Sequence, residues 1–248
     1  MNLQLIILDT KSMLLSKRAI YSIIFLAIFA LAFAAMVEFS PEGLRTALES
    51  AAPEGSAGVF EYIWFEDVLK LLLLMVVSFG AFMISDLEDD GTLDINLARP
   101  ESRANFLVRR TISAVLSFII VFIAGSLVAG IIAWAIMGDL DLLLFIAHQL
   151  MIVPMLLFVL ALTFFFSVPL RNITYTVLAG FASSLFLSFT YSFGLMANPG
   201  SEPSIFNPLA LGYRVMAGQP LAEALVVVLA ATVVLFLVGA AWFVKKDV

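Results

Sequence analysis

The uncharged run over residues 111–137 constrains this chain more than any other stretch. About 20 apolar residues, each rising about 1.5 Å along a helix, cross the ~30 Å hydrocarbon layer of a bilayer. Five further segments reach or approach that length: residues 19–37, 68–85, 142–168, 173–196 and 225–244. Mean hydropathy is +1.09 and 13% of residues are charged, against about 25% in soluble domains. These features predict an all-α membrane protein with six transmembrane helices, in contact with the lipid bilayer and forming a single domain.

The segments between the spans set the orientation. In residues 1–18, Leu3, Ile6, Ile7, Met13 and Leu14 fall near one helical face with Gln4, Lys11, Ser12 and Arg18 opposite, which predicts an N-terminal interfacial amphipathic helix rather than a cleavable signal peptide. With that terminus cytoplasmic, six spans place Lys11, Lys17, Arg18, Arg99, Arg103, Arg109, Arg110, Arg171, Lys245 and Lys246 inside and Arg45, Lys70 and Arg214 outside, as the positive-inside bias requires. Both termini and residues 86–110 are then cytoplasmic, and residues 38–67 and 197–224 extracytoplasmic. The first of these outer segments carries Glu38, Glu42, Glu49, Glu54, Glu61, Glu66 and Asp67 against Arg45; acids spread that widely read as a solvated face. Tyr62, Trp64 and Phe65 precede the second span, where aromatic rings favour the headgroup layer. In the spans, Gly125 with Ala129, Ser126 with Gly130, and the alanines of 19–37 offer small surfaces for helix packing.

Several function classes are excluded or left without residues. The net charge of −6 argues against nucleic acid as a partner. One His and no Cys leave no zinc arrangement and no metal site, and no catalytic residue is assigned. A P-loop pattern is absent, so a chain of this kind driven by ATP relies on another subunit for hydrolysis. His148, an ionisable group inside a span, invites a functional reading; with Gln149 beside it, interhelical hydrogen bonding and packing or gating weigh against substrate binding and catalysis. Thr176, Gly180, Ser184, Ser188 and Tyr191 fall within about 120° on the helical wheel, either lining a pathway or packing a neighbour.

Residues 86–110 hold the most specific pattern. Gly91-Thr92 reads as a helix start with Thr92 as cap and Asp94 in the first turn. Leu93, Ile95, Asn96 and Leu97 give it a partly apolar surface, Pro100 stops it, and Ser102 caps the helix that enters the third span. Glu88-x-x-Gly91-Thr92-Leu93 followed by Ala98-Arg99-Pro100-x-Ser102-Arg103 resembles the ABC-2 type permease family. The ending Phe243-Val244-Lys245-Lys246-Asp247-Val248, and Asn207-Pro208 with Tyr213-Arg214, are similar to further segments of that family. The resemblance implies the membrane subunit of an ABC transporter that pairs with a second permease subunit, a copy or a homologue. It also implies a cytoplasmic ABC ATPase subunit that holds ATP and Mg, this chain carrying no cofactor of its own. Glu88, Asp89, Gly91, Thr92, Leu93, Arg99, Pro100, Ser102 and Arg103 would lie at or beside the ATPase contact, with export between the permease halves near Ser184 and Ser188. One branch of the family implies instead a mechanical relay to an extracytoplasmic partner protein, as in copper-site maturation of nitrous oxide reductase.

Overall fold

The structure is a computed structural model that describes residues 3–42, 46, 55–65, 69–93, 102–170, 172–197, 207, 211–216 and 220–245. Those residues are helical, with no strand among them. In chain order they form α1 (Leu3–Leu14), α2 (Lys17–Glu38), α3 (Gly55–Ile63), α4 (Leu69–Ala81), α5 (Ser85–Asp89), α6 (Arg103–Met137), α7 (Leu142–Leu170), α8 (Ile173–Ala197), α9 (Leu211–Met216) and α10 (Ala222–Lys245). Five of them, α2, α6, α7, α8 and α10, are long and apolar enough to cross a membrane, so this is a multi-pass helical membrane protein.

The helix ends follow the local chemistry. Ser102 caps α6 as expected, its hydroxyl accepting from the Asn105 N–H at 3.2 Å; Ser102→Ala is expected to cost about 1 kcal/mol, read as a lowered unfolding midpoint in detergent. Gly138 ends the same helix in the left-handed region, with φ 77°. Asp141 then opens α7 by accepting from the N–H groups of Leu143 and Leu144 at 2.9 and 3.0 Å. The link between α6 and α7 is therefore a C-terminal glycine stop followed by an aspartate cap.

Contacts across the bundle define two ends. At one, Arg18 at the start of α2 pairs with Asp86 of α5, and Arg110 near the start of α6 donates to the Phe82 carbonyl after α4. Ser167 and Thr176, at the close of α7 and the opening of α8, meet Ser85, and Phe243 of α10 stacks on Phe106 of α6. The beginning of α2 and the close of α10 thus share an end with α5. At the other end lie α3, the start of α7 and the Leu187 carbonyl of α8, which accepts from Asn207.

α7 is the hub: it packs against α4, α6, α8, α9 and α10. Phe145, Ile152, Met155, Leu156, Val159 and Leu160 along it are almost fully buried. α2 lies along α6, and the small residues expected to allow this do so: Ala30, Ala34 and Ala129 have no exposed surface, and Leu26 of α2 seats against Gly125. The outer surfaces of α2, α8 and α10 remain apolar, with Ile28, Phe186 and Leu237 more than half exposed, as lipid-facing surfaces are.

Two stretches differ in detail from expectation. Within the apolar segment 68–85 the described residues form a helix of 13 residues, about 20 Å long, followed by the Phe82–Ile84 turn; it is apolar but shorter than the five helices of spanning length. The segment 38–67 is a solvated face only in part: Pro41, Glu42 and Thr46 are exposed, but α3 buries Val59, Phe60 and Glu61 in the bundle. Trp64 and Phe65, expected in the headgroup layer, are 1% and 5% exposed; their rings pack on α7 at Phe145 and His148. Tyr62 alone of the three stays outside, 44% exposed.

Candidate functional site

α5 carries the described part of the charged stretch, and its sequence explains both its ends. The Gly91 N–H donates to the Glu88 carbonyl at 3.1 Å and the Thr92 N–H to the Leu87 carbonyl at 2.9 Å. That pair of bonds is the Schellman closure of a helix C-terminus, and it places Gly91 at φ 66°, a conformation that costs other residues about 1–2 kcal/mol. Gly91 therefore terminates α5. Leu93 is itself helical, so the start expected at Gly91-Thr92 follows directly on this stop, and its continuation lies outside the described residues. The stop itself was not read from the sequence, because glycine serves either end and only the hydrogen bonds distinguish them.

Leu93 is 3% exposed, so its side chain anchors the turn in the bundle. Glu88 is half-buried, whereas Asp89, Asp90 and Gly91 are exposed. Asp94, Arg99, Pro100 and the rest of the expected amphipathic stub lie outside the described residues, as does the side chain of Tyr191. Ser102 is exposed and Arg103 half-buried at the start of α6.

Around α5 a polar network joins four helices. Ser85, without exposed surface, donates to the Ser167 carbonyl at 3.2 Å. A hydroxyl has one hydrogen, so Thr176, 2.7 Å away, is the donor to Ser85. Asn172 donates from its amide to Asp89 at 3.1 Å, while its carbonyl oxygen caps α8 by accepting from the Tyr175 N–H at 3.2 Å. Asp86 pairs with Arg18. The Arg18 and Arg110 guanidinium carbons lie 4.5 and 4.9 Å from the Phe82 ring centre, within the range of cation–π attraction. α1 joins the same end: Asp9 pairs with Arg109, the Ser113 hydroxyl donates to the Ile6 carbonyl at 3.2 Å, and the Ser117 hydroxyl, which donates back to the Ser113 carbonyl at 2.7 Å, lies 3.3 Å from the Thr10 carbonyl. The N-terminal helix is thus fastened to α6 by polar bonds, with Leu3, Ile7 and Leu8 left outward, each more than half exposed.

The polar face of α8 is mostly a packing face. Thr176 and Ser184 have no exposed surface; Ser184 donates back to the Gly180 carbonyl at 2.8 Å, and Gly180 lies against Thr163 of α7 and Val77 of α4. Ser188 is half-buried further along.

At the opposite end His148 finds a partner the sequence did not nominate. Its Nδ1 lies 3.0 Å from Oε2 of Glu61 on α3, and Glu61 is 8% exposed. Of the two residues expected to hydrogen-bond between helices, His148 does so, to Glu61, whereas Gln149 makes no hydrogen bond although it is 1% exposed. The missed residues are Arg18, Asp86, Asp9, Arg109 and Glu61. Each is a charge beside or inside an apolar segment, which is the signal that a partner of opposite sign is needed. Comparison of the chain with protein-family models, with curated proteins and with solved structures gives no match.

Proposed function

We propose that the chain is the membrane subunit of an ATP-driven transporter of the ABC-2 type, an exporter seated in the cell membrane. In this reading it passes the bilayer six times with both termini cytoplasmic, α4 and the α3 turn making the second pass. It pairs with a second permease subunit and binds a cytoplasmic ATPase that holds ATP and Mg. The observation that carries the reading is the position of α5. Its closing turn at Asp89–Gly91 is exposed, while Ser85, Asp86 and Asp89 of the same short helix are bonded to α7, α2 and the start of α8. A force applied at the turn therefore reaches three long helices through contacts that are short and polar, which is the mechanical requirement for coupling to a partner that closes on ATP.

The test is co-purification. The tagged chain, extracted in mild detergent, is expected to carry a P-loop ATPase in stoichiometric amount. Replacing Gly91-Thr92-Leu93 by Ala-Asp-Asp is expected to release it while the chain still inserts, since this breaks the left-handed turn and removes the Leu93 anchor. Retained ATPase with retained coupling after that replacement would sink the proposal, and so would a stable complex with no ATPase.

A further inference from the structure

At the end opposite α5, α3 and the turn after it bring two polar groups, Glu61 and Trp64, beside His148 and Gln149 in the second turn of α7. Glu61 and His148 form the pair described above, their side chains 11% and 20% exposed. The Trp64 ring lies edge-on to Phe145 with centroids 5.8 Å apart, and the Phe65 ring lies 6.1 Å from that of His148. Phe145, His148 and Gln149, spaced by three and four residues, share one face of α7. Gln149 therefore stands one turn from the ring that Trp64 touches.

Two members of this group have polar atoms with no partner. They are the indole N–H of Trp64 and both amide atoms of Gln149, each side chain 1% exposed. A buried polar group left unsatisfied costs about 1–3 kcal/mol, whereas an aromatic pair contributes only about 0.5–1.5 kcal/mol beyond its area. The aromatic packing around Trp64 does not offset three such atoms. A molecule that both donates and accepts would satisfy them, taking the indole or amide N–H and giving a proton to the amide oxygen. Phe60, Trp64 and Phe145 are already in contact, with centroids 5.6, 5.8 and 6.0 Å apart, so the space beside them suits a molecule of the smallest size.

We propose that this is a water-holding pocket, in which ordered water bridges the Trp64 indole N–H and the Gln149 amide beside the Glu61–His148 pair. Water here also solvates the carboxylate–imidazole pair, whose burial in a dry apolar setting is costly. The pocket follows from the packing alone; its service as the outer vestibule of a transport route rests on the function proposed above.

The probe is water itself, read by tryptophan fluorescence, and co-purification of the ATPase in the same variants keeps the transporter reading a separate question. With the two half-exposed tryptophans replaced, Trp134→Phe and Trp242→Phe, the emission of Trp64 is expected to be red-shifted and D2O-sensitive, and Gln149→Leu to shift it to the blue. Blue, D2O-insensitive emission with Gln149 intact overturns the pocket.

Discussion

Gly180→Ala is expected to destabilise the bundle by about 1–3 kcal/mol, the range for overpacking a filled core, and Thr163→Ala in the same chain to recover most of that loss. A methyl group at position 180 would stand 2.6 Å from Oγ1 and 3.1 Å from Cγ2 of Thr163 and 3.2 Å from Cγ1 of Val77. Thr163 has no exposed surface, and its hydroxyl is turned back to the Val159 carbonyl at 2.8 Å, so it has no free direction in which to yield. Truncating it to alanine removes both of its clashing atoms and leaves no orphaned donor. Gly80 of α4 approaches the same residue differently. Its added methyl would meet Thr163 Cβ at 2.6 Å and the Leu160 carbonyl oxygen at 3.0 Å, atoms that Thr163→Ala keeps. Gly80→Ala is therefore expected to destabilise by a similar amount and to stay destabilised in the double variant. Thermal unfolding of the five proteins in one detergent reads the contrast. Equal rescue of both glycine variants, or a neutral Gly180→Ala, would mean that α4, α7 and α8 do not converge on Thr163.

That convergence also shows what a sequence reveals and what it hides. The apolar runs, the small-residue faces of α6 and the Ser102 cap were legible because each depends on residues within a turn or two: length, spacing and one hydroxyl suffice. Thr176, Gly180 and Ser184 were visible as a face, but a face of small and hydroxyl residues suits water and a neighbouring helix equally well, and only the structure shows Thr176 against Ser85 and Gly180 against Thr163. Gly91 was visible as a special residue, but that it also closes α5 was hidden, because this role is written in the Glu88 and Leu87 carbonyls to which its turn is bonded. Glu61 was lost among acids that look alike in composition. What sets it apart is its position between Phe60 and Trp64, which face α7, and the presence 87 residues later of the chain's one histidine. The match of a lone acid to a lone base across the fold is a tertiary fact. The helical spacing of Val59, Phe60, Ile63 and Trp64 was the local sign that this segment had a buried face to present.

The ion pair between Asp9 and Arg109 should give the largest single-residue effect at the α5 end. The Arg109 side chain is 3% exposed and that of Asp9 24%, so the guanidinium has little access to water and depends on the protein for its counter-charge. Removing one partner of a buried pair costs about 3–5 kcal/mol, whereas replacing both by apolar residues is often neutral. Asp9→Ala is accordingly expected to lose about 3 kcal/mol, the lower end, since Asp9 keeps some contact with solvent. The loss has a local form. Without Asp9, α1 is held to α6 by the Ser113 hydroxyl bond, the longer Ser117 contact, and Ile6 and Met13, which are 5% and 1% exposed, and its backbone amides are expected to exchange hydrogen faster while those of α6 beyond Ser117 do not change. The double variant Asp9→Leu with Arg109→Leu is expected to return close to the parent stability and to the parent exchange rate in α1. If it is instead as unstable as Asp9→Ala, the two residues act separately, and α1 owes its place to the apolar contacts alone. If α1 stays protected in Asp9→Ala, the remaining contacts suffice and the ion pair contributes charge balance without holding the helix.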